Sequence, residues 1–248
     1  MISKNKIKYL KSLQQKKIRK EEKCFLAEGE KIVVEILQSD AIVTELYATD
    51  IFINKYEKLI QQKNVNVLET NHLDLEQIGY LQTNHFASIL MPFLPEKKII
   101  STQKTLTIVL DNIQDAGNFG TIIRIADWFG VQGIVCSLDT VDVYNSKVLG
   151  ASMASFLRVP IVYQPLRAFF EQNKDISVFG AMLDGENLYH KQAKINGVLI
   201  MGNESKGISK EISHFITHKI MIPRFGEAES LNVGIATAIF CNHWRENQ

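Results

Sequence analysis

Cysteine is scarce in this chain, and its three copies, Cys24, Cys136 and Cys241, are far apart and odd in number. That spacing argues against a disulfide framework and against a zinc site, and it points to a reducing, cytoplasmic setting. No metal is expected. No apolar run approaches the roughly 20 residues that a membrane-spanning helix requires, so no membrane partner is expected either. The N-terminus is rich in lysine but has no apolar stretch behind it, which excludes a secretory signal. Also missing are a G-x-G-x-x-G turn after the first strand of the second half and a phosphate-loop lysine, which disfavours a dinucleotide-type enzyme. No internal repeat or low-complexity segment is visible.

At 248 residues the chain has room for one large domain or two modest ones. A hydrophobic content of 46% beside 22% charge fits an ordinary globular protein. The net charge of +1 conceals an asymmetry: residues 1–23 carry nine Lys or Arg against Glu21 and Glu22, a net of +7, which leaves −6 on the remainder. A basic arm on a mildly acidic body suits a phosphate-backbone partner. A solvated helix face is the alternative, and the run alone does not choose between them.

Met91-Pro-Phe-Leu-Pro-Glu-Lys-Lys98, running on to Lys104, reads as a linker, because two prolines followed by charge suit neither helix nor central strand. It divides a first domain, residues 1–95, from a second, residues 105–248. In the first, a basic helix is predicted over about 4–20. Strands near 25–27, 43–48, 65–68 and 86–91 alternate with helices near 30–37, 55–62 and 73–81, which makes a small α/β sandwich. In the second, the apolar runs Leu106–Leu110, Gly133–Cys136, Ile176–Met182, Gly197–Met201 and Lys219–Ile222 are separated by helical patterns. Unbroken runs of this kind imply a parallel sheet buried on both faces.

Three stretches combine glycine or proline with isolated polar residues. In Asp115-Ala-Gly-Asn-Phe-Gly-Thr-Ile-Ile-Arg124, the stripe Ile122, Ala126 and Phe129 faces the sheet while Arg124 points away. Asn118 there is either a helix cap or part of an anion-accepting turn. Met201-Gly-Asn-Glu-Ser-Lys-Gly-Ile208 places Glu204 just past a buried strand, where open α/β sheets bind ligands. Its glycines let backbone meet that ligand. Ile222-Pro-Arg-Phe-Gly-Glu-Ala-Glu-Ser-Leu-Asn232 leads into the last helix, where Ser230 or Asn232 is a cap. A cap requires only one of them, which implies a second duty for the other.

In this order and at these separations, the stretches resemble the three motifs of the SpoU (TrmH-like) RNA ribose 2'-O-methyltransferases, within the SPOUT superfamily. The resemblance covers residues 105–248. It implies a deep C-terminal trefoil knot and S-adenosylmethionine as cofactor, held through Gly202, Ile222 and Leu231. It further implies that Asn118, Arg124, Glu204, Ser230 and Asn232 are the catalytic and RNA-positioning residues. Tyr144-Asn-Ser-Lys147 and Gly150-Ala-Ser152 also match, as lining of the active site or of a dimer contact. More diffusely, Phe25-Leu-Ala-Glu-Gly-Glu-Lys31 resembles the ribosomal-protein-like substrate-binding domain that often precedes such a catalytic domain.

Two positions depart from the family pattern: Ala116 where proline is frequent, and Gly234 where serine is. Neither belongs to the polar set. The implied activity is methyl transfer to a ribose 2'-hydroxyl of rRNA, or of tRNA, by a homodimer. Phe240 and Trp244 on the last helix are the expected interface material. The competing reading is a catalytically inactive knotted RNA-binding assembly factor, which would predict erosion of the five polar residues.

Overall fold

The computed structural model describes residues 2–81, 84–99, 104–190 and 197–247. Its contacts separate two units, Met1–Pro95 with Asp142–Leu157, and Glu96–Val141 with Arg158–Gln248.

The first unit opens with α1 (Lys4–Ser12) and α2 (Lys16–Glu22), where the sequence predicts one continuous helix. The break comes at Leu13 and Gln14, whose carbonyls both accept from Arg19 Nη1 at 2.8 Å instead of continuing the helical ladder. Then follow β1 (Cys24–Glu28), α3 (Glu30–Gln38), β2 (Glu45–Ala48), α4 (Asp50–Lys55), α5 (Glu57–Lys63), β3 (Val67–Glu69), α6 (His72–Ile78) and β4 (Ala87–Pro92). The helix predicted near 55–62 is α5, and the sequence reading misses α4 before it; the two separate at Tyr56, which leaves helical geometry at φ −118° and whose hydroxyl donates to Glu30 at 2.8 Å. The sheet order is β1-β4-β2-β3, with β4 antiparallel to both neighbours and β2 parallel to β3. β4 runs through Met91 and Pro92, two residues the sequence reads as strand end and linker.

Residues 142–157 pack within this unit, although the sequence places them well inside the second domain. The Tyr144 ring stacks on Phe25 and Phe93, with centroids 4.5 and 4.2 Å away, and its hydroxyl accepts from Leu94 N at 2.9 Å. Helix α8 (Ser146–Ser152) lies against β1 and buries Val148, Leu149 and Ser152. Asp142 receives Arg19 Nη2 at 2.6 Å in a nearly buried ion pair, with side chains 3% and 13% exposed. Val148 and Leu149 are therefore core residues of the first unit, with Tyr144 half-buried against Phe25 and Phe93.

The second unit contains β5 (Leu106–Asp111), α7 (Ala116–Phe129), β6 (Gly133–Cys136), β7 (Ile161–Tyr163), α9 (Leu166–Gln172), β8 (Val178–Asn187), β9 (Gly197–Gly202), α10 (Lys210–Ser213), β10 (His218–Met221) and α11 (Val233–Glu246). All pairs in the sheet are parallel, in the order β10-β8-β9-β5-β6-β7. β7 escapes the sequence reading because this half-buried edge strand is three residues long and sits between Pro160 and Pro165. β10 slips register against β8 between Lys219 and Ile220. Gly185 permits this, since a Cβ there would lie 2.6–2.8 Å from the Ile220 backbone.

Candidate active site

α7 begins where β5 ends, and its cap is Asp115, whose Oδ1 accepts Asn118 N at 2.7 Å. Asn118 is therefore not the capping residue, and its side chain is available for distant partners. Its Nδ2 donates to Glu204 Oε1 at 2.9 Å, and its Oδ1 accepts from Asn232 Nδ2 at 2.8 Å. Asn232 Oδ1 in turn accepts Gly234 N at 2.9 Å and Ile235 N at 3.3 Å, which caps α11. One asparagine thus performs both duties that the sequence divided between Ser230 and Asn232. The result is a continuous chain, Glu204–Asn118–Asn232, assembled from the loops at the carboxyl ends of β5, β9 and β10.

The loop carrying Glu204 is fastened by residues that the motif reading did not single out. Asn203 Oδ1 accepts from Ser205 N and Lys206 N at 3.0 and 3.1 Å, and its Nδ2 donates to Asn112 O at 2.8 Å. Asp111 Oδ2 accepts Ser209 N at 2.7 Å. Asn203 and Gly207 exchange backbone hydrogen bonds at 3.0 and 2.9 Å. The available signal was the Asp-Asn pair closing β5, since Asn112 adopts φ 60°, a region asparagine tolerates better than most residues. Gly202 is required where it stands, because a Cβ would lie 2.3 Å from the Gly207 carbonyl carbon.

Arg124 is exposed on α7, while Ile122, Ile123 and Ala126 are buried behind it. Among the described residues no hydrogen bond or ion pair joins Arg124 or Ser230 to the amide–carboxylate chain, and both present their polar groups outward. Gly202 and Ile222 are half-buried and Leu231 is 49% exposed. Between Ile222 and Leu231 no backbone-to-backbone hydrogen bond is formed among the described residues. Apart from Ala228 O, which accepts from Arg224 Nη1 at 3.5 Å, the loop's N–H and C=O groups lie without such backbone partners beside the exposed side chains of Phe225 and Leu231, which fits a ligand that is part heterocycle, part zwitterion.

Gly234 has a local reason: a Cβ would stand 3.1 Å from Thr121 Cγ2 and 3.2 Å from Asn232 Oδ1, where α11 packs on α7. Phe240 and Trp244 are both buried by packing within the chain, so they are not available to an interface as the sequence reading supposed. The exposed apolar residues on these two helices are Trp128, 84% exposed, and Ile235, 53% exposed. Burial pushes the Cys241 thiol up to about 12 and the Cys136 thiol well above its ordinary value. Both are packing groups and not nucleophiles. Among the described residues no cluster of His, Cys, Asp and Glu could hold a metal ion.

A parallel sheet whose strand-end loops bring together a carboxylate, the amide that holds it and a second amide that holds the first is the frame of an α/β enzyme. The SpoU rRNA Methylase family model matches residues 105–242, and an MRM3-like substrate binding domain matches residues 4–85. The chain belongs to the SpoU rRNA methylase family and is an RNA methyltransferase. It is similar to the 23S rRNA (guanosine(2553)-2'-O)-methyltransferase RlmP of Bacillus subtilis (strain 168), 31% identical over 97% of this chain and 96% of that protein. The structure resembles a TrmH-family protein from Porphyromonas gingivalis with TM-score 0.86, 33% identity and complete coverage of both chains. It also resembles an AdoMet-bound rRNA methyltransferase from Sinorhizobium meliloti, with TM-score 0.87, 26% identity and 99% and 96% coverage. The inactive alternative finds no support, since all five polar residues are present.

Proposed function

We infer that this chain transfers the methyl group of S-adenosylmethionine to a ribose 2'-hydroxyl, with ribosomal RNA as its substrate. The observation that carries the reading is the Glu204–Asn118–Asn232 chain beside the glycine-bearing loop after β9. S-adenosylmethionine, when bound, supplies a methyl already made electrophilic by its sulfonium. Gly202, Ile222 and Leu231 hold it through backbone groups. The protein's remaining task is to bring the hydroxyl in line and to stabilise the charge it develops.

Glu204, kept in place by Asn118, accepts a hydrogen bond from the ribose, and Ser230 and Asn232 help to orient it. Arg124 acts as a clamp on phosphate and developing alkoxide. A guanidinium does not surrender its proton in a protein, so Arg124 is an electrostatic group and not the base. Residues 105–248 carry this chemistry, and residues 1–95 bind RNA together with the segment 142–157 that packs with them. The deep knot belongs to the same reading. We assign the active form as a homodimer, for which Trp128 and Ile235 provide apolar surface, and place it in the cytoplasm with its substrate. No described helix is long and apolar enough to cross a membrane.

Calorimetry with S-adenosylmethionine and S-adenosylhomocysteine should give dissociation constants of about 1 µM, roughly −8 kcal/mol. Mapping 2'-O-methylation across total RNA in cells with and without the gene should reveal one rRNA site that depends on the gene. A gene-dependent site in tRNA instead would overturn the rRNA preference. Folded protein that binds neither compound would overturn the enzyme reading.

A further inference from the structure

The first unit contains a cavity of about 800 Å³ that none of the catalytic residues lines. It opens at the carboxyl ends of the parallel pair β2 and β3, the place where α/β sheets accept ligands. Thr49 and Thr70, the residues following those strands, are nearly buried and line it. Their hydroxyls are engaged with the chain itself, Thr49 with Phe86 O at 3.3 Å and Thr70 with Asp74 Oδ2 at 3.2 Å, which makes a rigid surface. His72 and His85 line it too, with ring centroids 6.0 Å apart and planes at 68°. His85 is steadied by Glu76, 3.5 Å from its Nδ1. The remaining polar lining includes the exposed carboxylates of Asp50 and Glu69.

This chemistry excludes phosphate, because two carboxylates face the space and no lysine or arginine lines it. Carboxylates accept hydrogen bonds, so they select a ligand edge rich in N–H groups. Imidazole rings offer a flat face on which an unstacked base rests, with a second ring meeting it edge-on. Guanine, cytosine and adenine each present an exocyclic amine, whereas uracil presents mainly acceptors. We propose that the cavity receives one unstacked, amine-bearing nucleobase from the same RNA that is methylated in the second unit. This rests on the RNA-methyltransferase reading above and adds a specificity site outside the catalytic unit.

The test uses the full-length protein and four labelled RNA hexamers: all-uridine, and uridine with one central guanosine, cytidine or adenosine. An amine-bearing base should tighten binding about tenfold over all-uridine, the scale of one hydrogen bond to a charged group. His72→Ala and the pair Asp50→Ala with Glu69→Ala should erase that difference, while His72→Phe should retain it by keeping the stacking face. These side chains are exposed, so melting temperatures should stay close to that of the parent. Equal binding of all four hexamers, or discrimination that survives His72→Ala and the carboxylate pair, overturns the proposal. So does failure of every hexamer to bind a protein that methylates RNA. A protein that neither binds the hexamers nor methylates any RNA instead overturns the reading beneath it.

Discussion

Asn118 and Glu204 stand 86 positions apart in the chain, and their side chains meet at 2.9 Å. Because Asp115 caps α7, Asn118 can be altered without removing the helix cap. Asn118→Asp would set a second carboxylate against Glu204 and delete the donor that orients it. Single-turnover methyl transfer should fall at least about a hundredfold, the scale of removing one preorganised donor. Cofactor affinity should stay nearly constant. A rate within about twofold of wild type would mean that the pair is only structural.

Arg124 protrudes from a helix whose buried face consists of other residues, so Arg124→Ala should change stability by no more than about 0.5 kcal/mol. Transfer should nevertheless drop by about 10²–10³. Arg124→Lys should not restore it, because an ammonium lacks the planar two-point contact. Light scattering should report the same oligomeric state as for the parent protein. A variant that melts early would show Arg124 to be a structural residue.

The basic run resolves into two kinds of side chain. Lys6 pairs with Glu45 at 2.7 Å and Arg19 with Asp142 at 2.6 Å, whereas Lys8, Lys11 and Lys16 are exposed, as is Lys17 with its long 3.9 Å pair to Glu21. Neutralising those four should flatten the salt dependence of RNA binding by about 0.7–0.9 in log–log slope for each phosphate no longer neutralised. S-adenosylmethionine affinity should not change. An unaltered slope would identify the run as a solvated face.

Arg19→Ala should leave Asp142 uncompensated and lower the stability of the first unit by about 3–5 kcal/mol. Hydrogen exchange should accelerate across residues 142–157 before the rest of the unit. The pair Arg19→Met with Asp142→Leu should be less harmful than Arg19→Ala, since an apolar pair needs no charge balance. Equal melting temperatures for Arg19→Ala and wild type would refute this account of the segment.

Patterns confined to neighbouring residues were legible from the residues alone. Continuous Val/Ile/Leu runs announced β5, β6 and β9 nearly to the residue, because burial on both faces demands apolar side chains at every position. The stripe through Ile122 and Ala126 placed Arg124 outward for the same local reason. Glycine at 202 reads in the sequence as room for a ligand, whereas the structure gives it a nearer reason in the packing against Gly207. Pairings between distant positions left no such trace. Nothing in the order of residues says that Asn118 reaches both Glu204 and Asn232, or that Arg19 breaks a helix to cap its end and hold Asp142. Nor does it say that Tyr144 stacks between Phe25 and Phe93 of the first unit, or that Phe240 and Trp244 are consumed in packing within the chain. Periodicity tells which face of an element is apolar. What covers that face, and which polar groups meet, depends on where chain segments many positions away are brought by the fold.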